Sequence, residues 1–419
     1  MTKIDELIAE LCPAGVSFQQ LWELTAWDKR FNAVDRAKQE NVHSYTYLLA
    51  SELKGLALDE GGPVKLLGTG GADFGWTSLE RAEGISTIAE IVAIPWGGNP
   101  SVKYFDGHFI TADNRIAVVR DPSKLITKFL YFVLLSRIEE IASYYRGAGI
   151  QHPSMSKVLD MRIPVPPLEV QREIVRILDN FTELEAELEA ELEARKKQYE
   201  FYRDQLLSFP EQGGVRWVPM GSVGKFFGGL SGKSKADFDN GNARYVSYTN
   251  IYRNISTDLF DDHYVQVGSA EKQRALQMGD ILFTGSSEGL EDVGMSSVVT
   301  SEPEQSLYLN SFCFAYRLDE LGRLLPDFSK HLFRSTSIRK QIIRTASGVT
   351  RFNVSKAKMA KLLFPIPDLD IQKSISERLN RFDALVNDIS IGLPAEIEAR
   401  RKQYEHYRDK LLTFPEVAA

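Results

Sequence analysis

The chain has 419 residues, of which 43% are hydrophobic, so it can bury two cores of ordinary size. Its formal net charge of −7 excludes a uniformly basic nucleic-acid coat, although a local basic groove is still allowed. Two cysteines argue against a disulfide framework or a zinc site, and neither a signal peptide nor a membrane-spanning apolar run is apparent, so we expect a cytoplasmic protein.

The first globular region combines strand and helix signals and predicts an α+β fold. Residues 90–95 and 115–119 are apolar runs typical of strands, and residues 128–142 predict a helix. The loops carry aromatic, amide and basic side chains, which can read base edges or contact phosphates. The candidate DNA contacts in this region are Trp96, Asn99, Lys103, Tyr104, Arg146, Gln151 and His152.

A long helix follows this region. Apolar residues recur at helical spacing after Pro167, and Pro210 suits the end of the helix. A helix over residues 168–208 would be about 60 Å long, so we expect it to pack as a coiled coil. Its middle repeats Leu-Glu-Ala-Glu, a four-residue period that drifts around the helix. We expect Leu184 and Leu188 to face one partner and Leu192 to rotate away.

The second globular region shows the same mixture and is also predicted as α+β. Residues 244–248, 280–284 and 312–316 predict strands, and residues 327–343 predict a helix. A second helical segment begins near residue 369, and Gly392 and Pro394 predict a break in it. The candidate DNA contacts here are Ser231, Lys233, Lys235, Asn250, Arg253, Ser286, Thr350, Arg351 and Asn353.

The two halves of the chain share one pattern. Residues 198–211 read Gln-Tyr-Glu-Phe-Tyr-Arg-Asp-Gln-Leu-Leu-Ser-Phe-Pro-Glu and recur, with three changes, at 403–416. Residues 163–171 match 364–372, so the repeat is about half the chain and indicates a two-fold duplication. Such a chain can mimic a two-fold dimer, for which duplex DNA is a natural target.

This duplication predicts four segments. They are two target-binding domains, at residues 1–166 and 212–367, and two conserved helical spacers, at 167–211 and 368–419. If a pseudo-two-fold axis relates the halves, the two long helices pair antiparallel, with one globular domain at each end. The repeated tyrosines and arginines are candidates for subunit contact, although a coiled-coil core explains the tyrosines equally well. These residues are Tyr199, Tyr202, Arg203, Tyr404, Tyr407 and Arg408.

The motifs of catalysis are missing from the sequence. There is no Asn/Asp-Pro-Pro-aromatic methyltransferase motif and no Walker A sequence. The six histidines show no metal-ligand spacing, and no residues form a pattern for nucleophilic or acid–base catalysis. We therefore predict a protein that is not an enzyme, with no catalytic residues and no metal site.

The chain resembles the specificity subunits of type I restriction–modification systems over nearly its whole length. The resemblance rests on the half-length duplication, the Pro-x-Pro-x-Leu-x-x-Gln segments at 164–171 and 365–372, and the repeated Gln-Tyr-Glu-x-Tyr-Arg-Asp phrase. The strand entry Gly279-Asp-Ile-Leu282 and the loop Gly348-x-Thr-Arg-x-Asn353 also look like parts of that family's recognition domains.

The resemblance implies a non-catalytic subunit that recognises a split sequence in double-stranded DNA. Each target recognition domain would read one half-site, and the two helices would set the gap and hold two methylation subunits and two restriction subunits. It implies no cofactor on this chain. S-adenosylmethionine, ATP and Mg²⁺ would belong to the partner subunits. Variation of the tetrapeptide copy number in that family would change the gap.

Two other functions compete with this interpretation. One is a structural coiled-coil scaffold without DNA binding, which leaves two divergent globular regions within a repeated frame unexplained. The other is a DNA-modifying enzyme in its own right, against which the missing cofactor motifs argue. Salt-dependent DNA binding would separate the first from a recognition subunit, and a methylation assay on the purified chain would test the second.

Overall fold

A computed structural model describes residues 3–70, 73–210, 214–238, 241–320, 322–388 and 390–417. The chain divides into two compact units, each of them discontinuous in sequence. The first unit comprises residues 1–187 and 398–419, and the second comprises residues 188–397. The predicted boundaries of the recognition domains and spacers stay predictions, and the boundary at 211/212 lies outside the described residues.

The first unit is built on a six-stranded sheet in the order β2-β7-β5-β6-β3-β4, in which only the β3–β6 pair is parallel. Its strands are β1 Ser17–Gln20, β2 Thr25–Trp27, β3 Val64–Leu67, β4 Trp76–Thr77, β5 Thr87–Pro95, β6 Lys103–Thr111, β7 Asn114–Val119, β8 Tyr145–Arg146, β9 His152–Pro153 and β10 Arg162–Val165. Its helices are α1 Lys3–Leu11, α2 Leu21–Leu24, α3 Ala50–Gly55, α4 Thr127–Ser136, α5 Ile138–Ser143, α6 Met155–Leu159 and the first half of α7 Leu168–Leu206.

The second unit contains a four-stranded antiparallel sheet, β12-β19-β15-β17, and a three-stranded sheet, β14-β13-β18. Its strands are β11 Arg216–Pro219, β12 Gly224–Gly228, β13 Ala243–Val246, β14 Tyr264–Val265, β15 Ile281–Thr284, β16 Ser286–Ser287, β17 Ser296–Val298, β18 Leu307–Leu309, β19 Cys313–Leu318, β20 Ala346–Ser347, β21 Phe352–Val354 and β22 Leu363–Ile366. Its helices are α8 Tyr248–Arg253, α9 Pro326–Leu332, α10 Thr336–Thr345, α11 Lys356–Met359, α12 Leu369–Asn387 and the start of α13 Leu393–Leu411.

The ends of each repeat pair with one another. In the first unit β1 pairs antiparallel with β10, which places Phe18 opposite Pro164. In the second unit β11 pairs antiparallel with β22, which places Trp217 opposite Pro365. The entry and exit of each globular region are therefore tied together at the start of its long helix.

A buried glutamine explains the Pro-x-Pro-x-Leu-x-x-Gln segments. The Gln171 side chain accepts from the backbone N–H of Ile126 at 2.8 Å and donates to the carbonyls of Lys124 and Pro166, each at 2.7 Å. Gln372 makes the same set, accepting from Leu325 and donating to the carbonyls of Arg323 and Pro367. Both glutamines are fully buried, so each satisfies three backbone groups that water cannot reach. We call this arrangement the glutamine clamp.

Each core is completed by residues of a repeated segment from the other half of the sequence. The first core contains Ile174 and Leu178 of α7 together with Leu411 and Phe414 from the C-terminal segment. The second core contains Leu379 of α12 together with Tyr199 and Leu207 from α7 and the segment after it. The repeated phrase is therefore a packing element whose first copy closes the second unit and whose second copy closes the first.

The α+β class, the long helix and the internal duplication are confirmed, and the pseudo-two-fold axis stays a prediction. The helical break is also found, because α12 ends at Asn387 and α13 begins at Leu393. A Cβ on Gly392 would lie 2.5 Å from the carbonyl oxygen of Ala384, so this turn requires glycine.

Three local predictions differ from the structure. Each predicted helix before a repeated segment is two helices, α4 with α5 and α9 with α10, and the second pair is divided where Ser335 donates to the carbonyl of Leu332 at 2.7 Å. The strand predicted at 244–248 ends at Val246, because Ser247 caps α8. The leucine prediction was wrong. Leu184 is exposed, whereas Leu192 packs on the second core.

Candidate nucleic-acid interface

In the first unit, the loop after β5 meets the hairpin formed by β8 and β9. The N–H of Gly98 donates to the carbonyl of Gln151 at 3.1 Å, and His152 Nδ1 lies 2.7 Å from the carbonyl oxygen of Trp96. Arg146 pairs with His152 across the hairpin. Five predicted residues therefore share one surface: Trp96, Asn99, Arg146, Gln151 and His152.

Trp96 rests on a buried cation that the sequence analysis did not single out. The guanidinium carbon of Arg115 lies 4.5 Å from the centre of the Trp96 ring, and Arg115 is almost completely buried. It donates to Asp28 at 2.9 Å and also to Asp113. Burial raises the pKa of Asp28, and the charge of Arg115 opposes that shift. The ion-paired Arg115 guanidinium packs on one side of the Trp96 ring and fixes its position. The edge of the ring and the loop that carries it can then contact a ligand. The available signal was an arginine in an otherwise apolar strand.

Lys103 and Tyr104 face internal partners. The Lys103 ammonium donates to the carbonyls of Gly68 and Gly70, and burial lowers its pKa. The Tyr104 hydroxyl donates to Glu90 at 2.9 Å, and its ring lies 5.8 Å from that of Tyr131. Both side chains hold the sheet and its neighbouring loop together, so we rank them below the other five.

In the second unit, a short helix, the β16 segment and the hairpin of β20 and β21 come together. Tyr248, at the start of α8, donates to the carbonyl of Ser286 at 2.9 Å. Arg351 Nε donates to the Ser286 hydroxyl at 3.0 Å, and Asn353 is the strand partner of Ser286. Thr350 is exposed at the tip of the same hairpin. Three predicted residues therefore lie on one surface: Thr350, Arg351 and Asn353. Ser286 is buried beside them and holds Tyr248 and Arg351 in place, so its part in DNA contact stays a prediction.

Helix α8 adds Arg253 and two tyrosines to this surface. Arg253 is exposed at its C-terminal end, and the rings of Tyr248 and Tyr252 stack 6.4 Å apart at an angle of 14°. Partly buried Arg334 donates to the carbonyl of Ile251 at 2.8 Å, and loss of solvent around it lowers its pKa to about 10. The helix is therefore anchored from beneath. The sequence analysis did not single out the two tyrosines as candidate contacts, although their spacing of four residues already indicated one helical face.

Asn250 is turned away from this surface. Its side-chain amide donates to the carbonyl of Asp258 and to Asp261, and its oxygen accepts from the N–H of Asp258. It is buried, and its bonds order the loop that follows α8. Its part in DNA recognition stays a prediction, and the geometry assigns it a positioning role.

The stretch from Ser231 to Lys235 forms a separate cluster. The N–H of Ser231 donates to the Gln273 side chain at 3.2 Å. Lys233 donates to the carbonyl of Gln266 and to Glu271, and only 3% of its side chain is exposed. Lys235 is exposed at the start of a 3-10 turn. Of the two lysines in this stretch, only Lys235 presents its charge to solvent.

The repeated tyrosines occupy equivalent places in the two units. In the first unit Tyr407 stacks on Phe181 at 5.6 Å and 26°, and in the second Tyr202 stacks on Phe382 at 5.5 Å and 24°. Arg408 lies 5.8 Å from the ring of Tyr404, and Arg203 lies 5.7 Å from the ring of Tyr199. The stacked tyrosines hold each repeated phrase against the partner helix of its unit, whereas each arginine packs on a tyrosine of its own phrase.

The outer side of each phrase carries an exposed aromatic pair. Phe201 meets Tyr202 edge-on at 5.6 Å and 73°, and His406 meets Tyr407 at 5.7 Å and 72°. Phe201 is 64% exposed, although it is a large apolar side chain. Phe201 and His406 were missed, because the phrase differs between the copies at this position.

Two further classes of site can be reported for the described part of the chain. No group of three or more histidine, cysteine, aspartate or glutamate residues is arranged there to hold a metal ion. Within the same residues, no helix is both long enough and apolar enough to cross a membrane.

Comparison with known proteins identifies the relatives of this chain. The family model described as the type I restriction modification DNA specificity domain matches residues 84–194 and 214–399. The specificity subunit of the Escherichia coli type I restriction enzyme EcoR124I/EcoR124II is 33% identical over 75% of this chain and 78% of its own length. A putative type I restriction enzyme specificity subunit of Haemophilus influenzae is 31% identical over 80% of this chain and 86% of its own length.

Solved structures share the fold at low sequence identity. The S subunit of a type I restriction–modification system from M. genitalium matches with a TM-score of 0.53 at 16% identity, covering 95% of this chain and 96% of that one. A chain from a study of complex assembly in the type I restriction–modification system matches with a TM-score of 0.59 at 17% identity, covering 96% and 98%.

Proposed function

The chain belongs to the type I restriction–modification DNA specificity family, and from this premise we propose that it is the DNA sequence-recognition subunit of a type I restriction–modification complex. Each unit reads one half of a bipartite target in double-stranded DNA. Both units build a surface of the same kind, which is the main support for this function. In each unit the loop after a central strand meets a glycine hairpin, and exposed amide or basic side chains lie beside it.

The chemistry of these surfaces suits base edges and phosphates. Arginine can bind guanine with two hydrogen bonds, and glutamine or asparagine can bind adenine in the same way. Gln151 serves the first unit in this role, and Arg351 and Asn353 serve the second. Arg253 and Lys235 are exposed cations suited to phosphate contact, which fixes the position of the protein without reading the sequence.

Catalysis belongs to the partner subunits. The chain itself is not an enzyme and binds no cofactor. Methylation subunits hold S-adenosylmethionine, and restriction subunits hold ATP and Mg²⁺. Two methylation subunits and two restriction subunits assemble on the chain, and the duplicated aromatic pairs at Phe201 and His406 support a pair of identical partners. The proposal includes a cytoplasmic location, where such a complex meets chromosomal DNA.

The helices set the gap between the two half-sites. One Leu-Glu-Ala-Glu unit adds about 6 Å of helix, and a base pair rises by about 3.4 Å. Inserting one unit after Glu187 is therefore expected to lengthen the preferred gap by one or two base pairs.

Binding of the assembled complex to DNA tests the proposal. We expect affinity for the target to fall steeply with salt, because phosphate contacts release counterions. Arg351→Ala removes a base-reading group and is expected to weaken target binding by about 10- to 100-fold with less effect on unrelated DNA. Arg216→Ala, on strand β11 and outside the cluster, is the matched control. Salt-independent binding, or equal losses for both variants, would contradict the proposal.

A further inference from the structure

The two hairpins present aliphatic side chains to solvent at their tips. Ile150 in the first unit is 71% exposed, and Val349 in the second unit is 90% exposed. Single exposed apolar residues are ordinary on protein surfaces. Here, however, both lie on the tip of a hairpin that already meets the candidate base-reading residues of its unit.

The hairpins have the same register in the repeat. Tyr145 pairs with Pro153 and Arg146 with His152, and at the equivalent positions Ala346 pairs with Val354 and Ser347 with Asn353. Residues 147–151 and 348–352 therefore form tips of equal length. The same hairpin thus occurs once in each unit, but the exposed aliphatic residue stands at a different place in each tip, because Ile150 aligns with Arg351 and Val349 with Ala148.

Each tip is shaped by a glycine that no other residue replaces easily. Gly147 has φ +136° and Gly348 has φ +141°, and both lie in the region that side chains rarely adopt. A Cβ on Gly147 would lie 2.8 Å from the carbonyl oxygen of Ile150, and one on Gly348 would collide with the carbonyl oxygen of Arg351. Both aliphatic side chains therefore lie on turns whose backbone conformation is fixed by a glycine.

Neither side chain contributes to the core of its unit. Ile150 lies against the glycine loop, where its Cγ2 would be 2.9 Å from a Cβ on Gly97. Val349 is almost fully hydrated. Burial of one methylene or methyl group is worth about 0.8 kcal/mol, so each exposed side chain can still stabilise a complex by burying its apolar surface against a ligand.

The neighbouring side chains indicate what that ligand is. Gln151 follows Ile150, and Arg351 and Asn353 follow Val349, so hydrogen-bonding groups for base edges lie beside each apolar one. In the major groove the apolar feature of a base pair is the C5-methyl group of thymine, and aliphatic side chains contact it. We propose that Ile150 and Val349 each contact a thymine methyl group, so that both half-sites contain a thymine recognised through its methyl. This inference rests on the proposed DNA-recognition function.

Replacing thymine by deoxyuridine tests it, since the change removes only the methyl group. Once the target is known, each thymine in turn is replaced in duplexes bound by the full chain with its methylation subunit. One position in each half-site is expected to lose about fourfold in affinity, the value of one buried methyl. Ile150→Ala should abolish the loss in the first unit's half-site only, and Val349→Ala in the other only. Ile88→Ala and Ile391→Ala, exposed aliphatic residues outside the hairpins, are the matched controls.

The outcomes separate this inference from its premise. Loss of sensitivity to deoxyuridine in the matching variant alone supports it, because the coupling is then specific to one side chain and one methyl. Sequence-specific binding without any sensitivity, or sensitivity that survives in Ile150→Ala and Val349→Ala, overturns the methyl contact and leaves the recognition function intact. A complex that binds no sequence specifically overturns both.

Discussion

The glutamine clamp gives a quantitative test of how the repeat builds each unit. Gln372→Leu keeps the volume of the side chain but removes three hydrogen bonds, at 2.8, 3.1 and 2.7 Å, and leaves the backbone groups of Leu325, Arg323 and Pro367 without a partner. Each lost bond is worth about 1 kcal/mol, so we expect the free energy of local opening to fall by about 3 kcal/mol.

Native-state hydrogen exchange measures this opening directly. The amide of Leu325 is expected to exchange about 100-fold faster in Gln372→Leu, because 1.4 kcal/mol corresponds to a factor of about ten. The equivalent change, Gln171→Leu, should do the same to the amide of Ile126. Gln205→Leu is the control, because Gln205 is exposed on α7. Exchange at Leu325 that matches the control would refute the structural role assigned to the repeated glutamine.

Three further predictions concern the second unit, the stacked aromatic pairs and the spacer. Burial lowers the pKa of His331 from the ordinary 6.5 to about 4, so between these pH values the unfolded chain binds more protons than the folded one. The free energy of unfolding of the second unit, measured by thermal unfolding, should therefore fall by up to about 3 kcal/mol as the pH falls from 6.5 to 4. In His331→Gln this dependence on pH should be weaker. Double-mutant cycles should give couplings of about 1 kcal/mol for Phe181 with Tyr407 and for Phe382 with Tyr202, and none for Phe181 with Tyr202, whereas a coupling in the last pair would contradict the unit assignment. Insertion of one Leu-Glu-Ala-Glu unit should move the methylated motif to a gap one or two base pairs longer, and an unchanged gap would argue against the helix as the spacer.

Much of the frame could be predicted because it rests on local signals. The spacing of Val170, Ile174 and Phe181 predicts α7, and Gly392 with Pro394 predicts the break before α13. These features depend on backbone chemistry and helical periodicity, which are visible in a single sequence.

The packing of each repeated phrase against the unit formed by the other half of the sequence could not be predicted in this way. The tyrosine at 199 reaches its hydrogen-bond partner His331, 132 residues away, at 2.9 Å. Periodicity shows that one face of a helix is apolar, but it does not show which surface covers that face. Burial of Tyr199 depends on that long-range contact.

The candidate site could be predicted only in part, because sequence patterns do not show which partner a polar side chain meets in the fold. The hairpins were singled out because Gly147 and Gly348 occur at matched positions of the repeat. Lys103 and Asn250 belong to residue classes that can contact DNA. Their partners, the carbonyls of Gly70 and Asp258, are distant or local backbone groups that composition does not reveal. Arg115 was overlooked because a buried arginine in a strand contributes through the ring of Trp96 that it supports.

A genome-wide map of adenine methylation tests the central claim most directly. Cells would express this chain together with its methylation subunit, and cells lacking the chain would serve as the control. The account predicts a single split motif, methylated throughout the genome and with a fixed gap between its two halves. The absence of any new methylated motif, despite a stable complex of the two proteins, would contradict it.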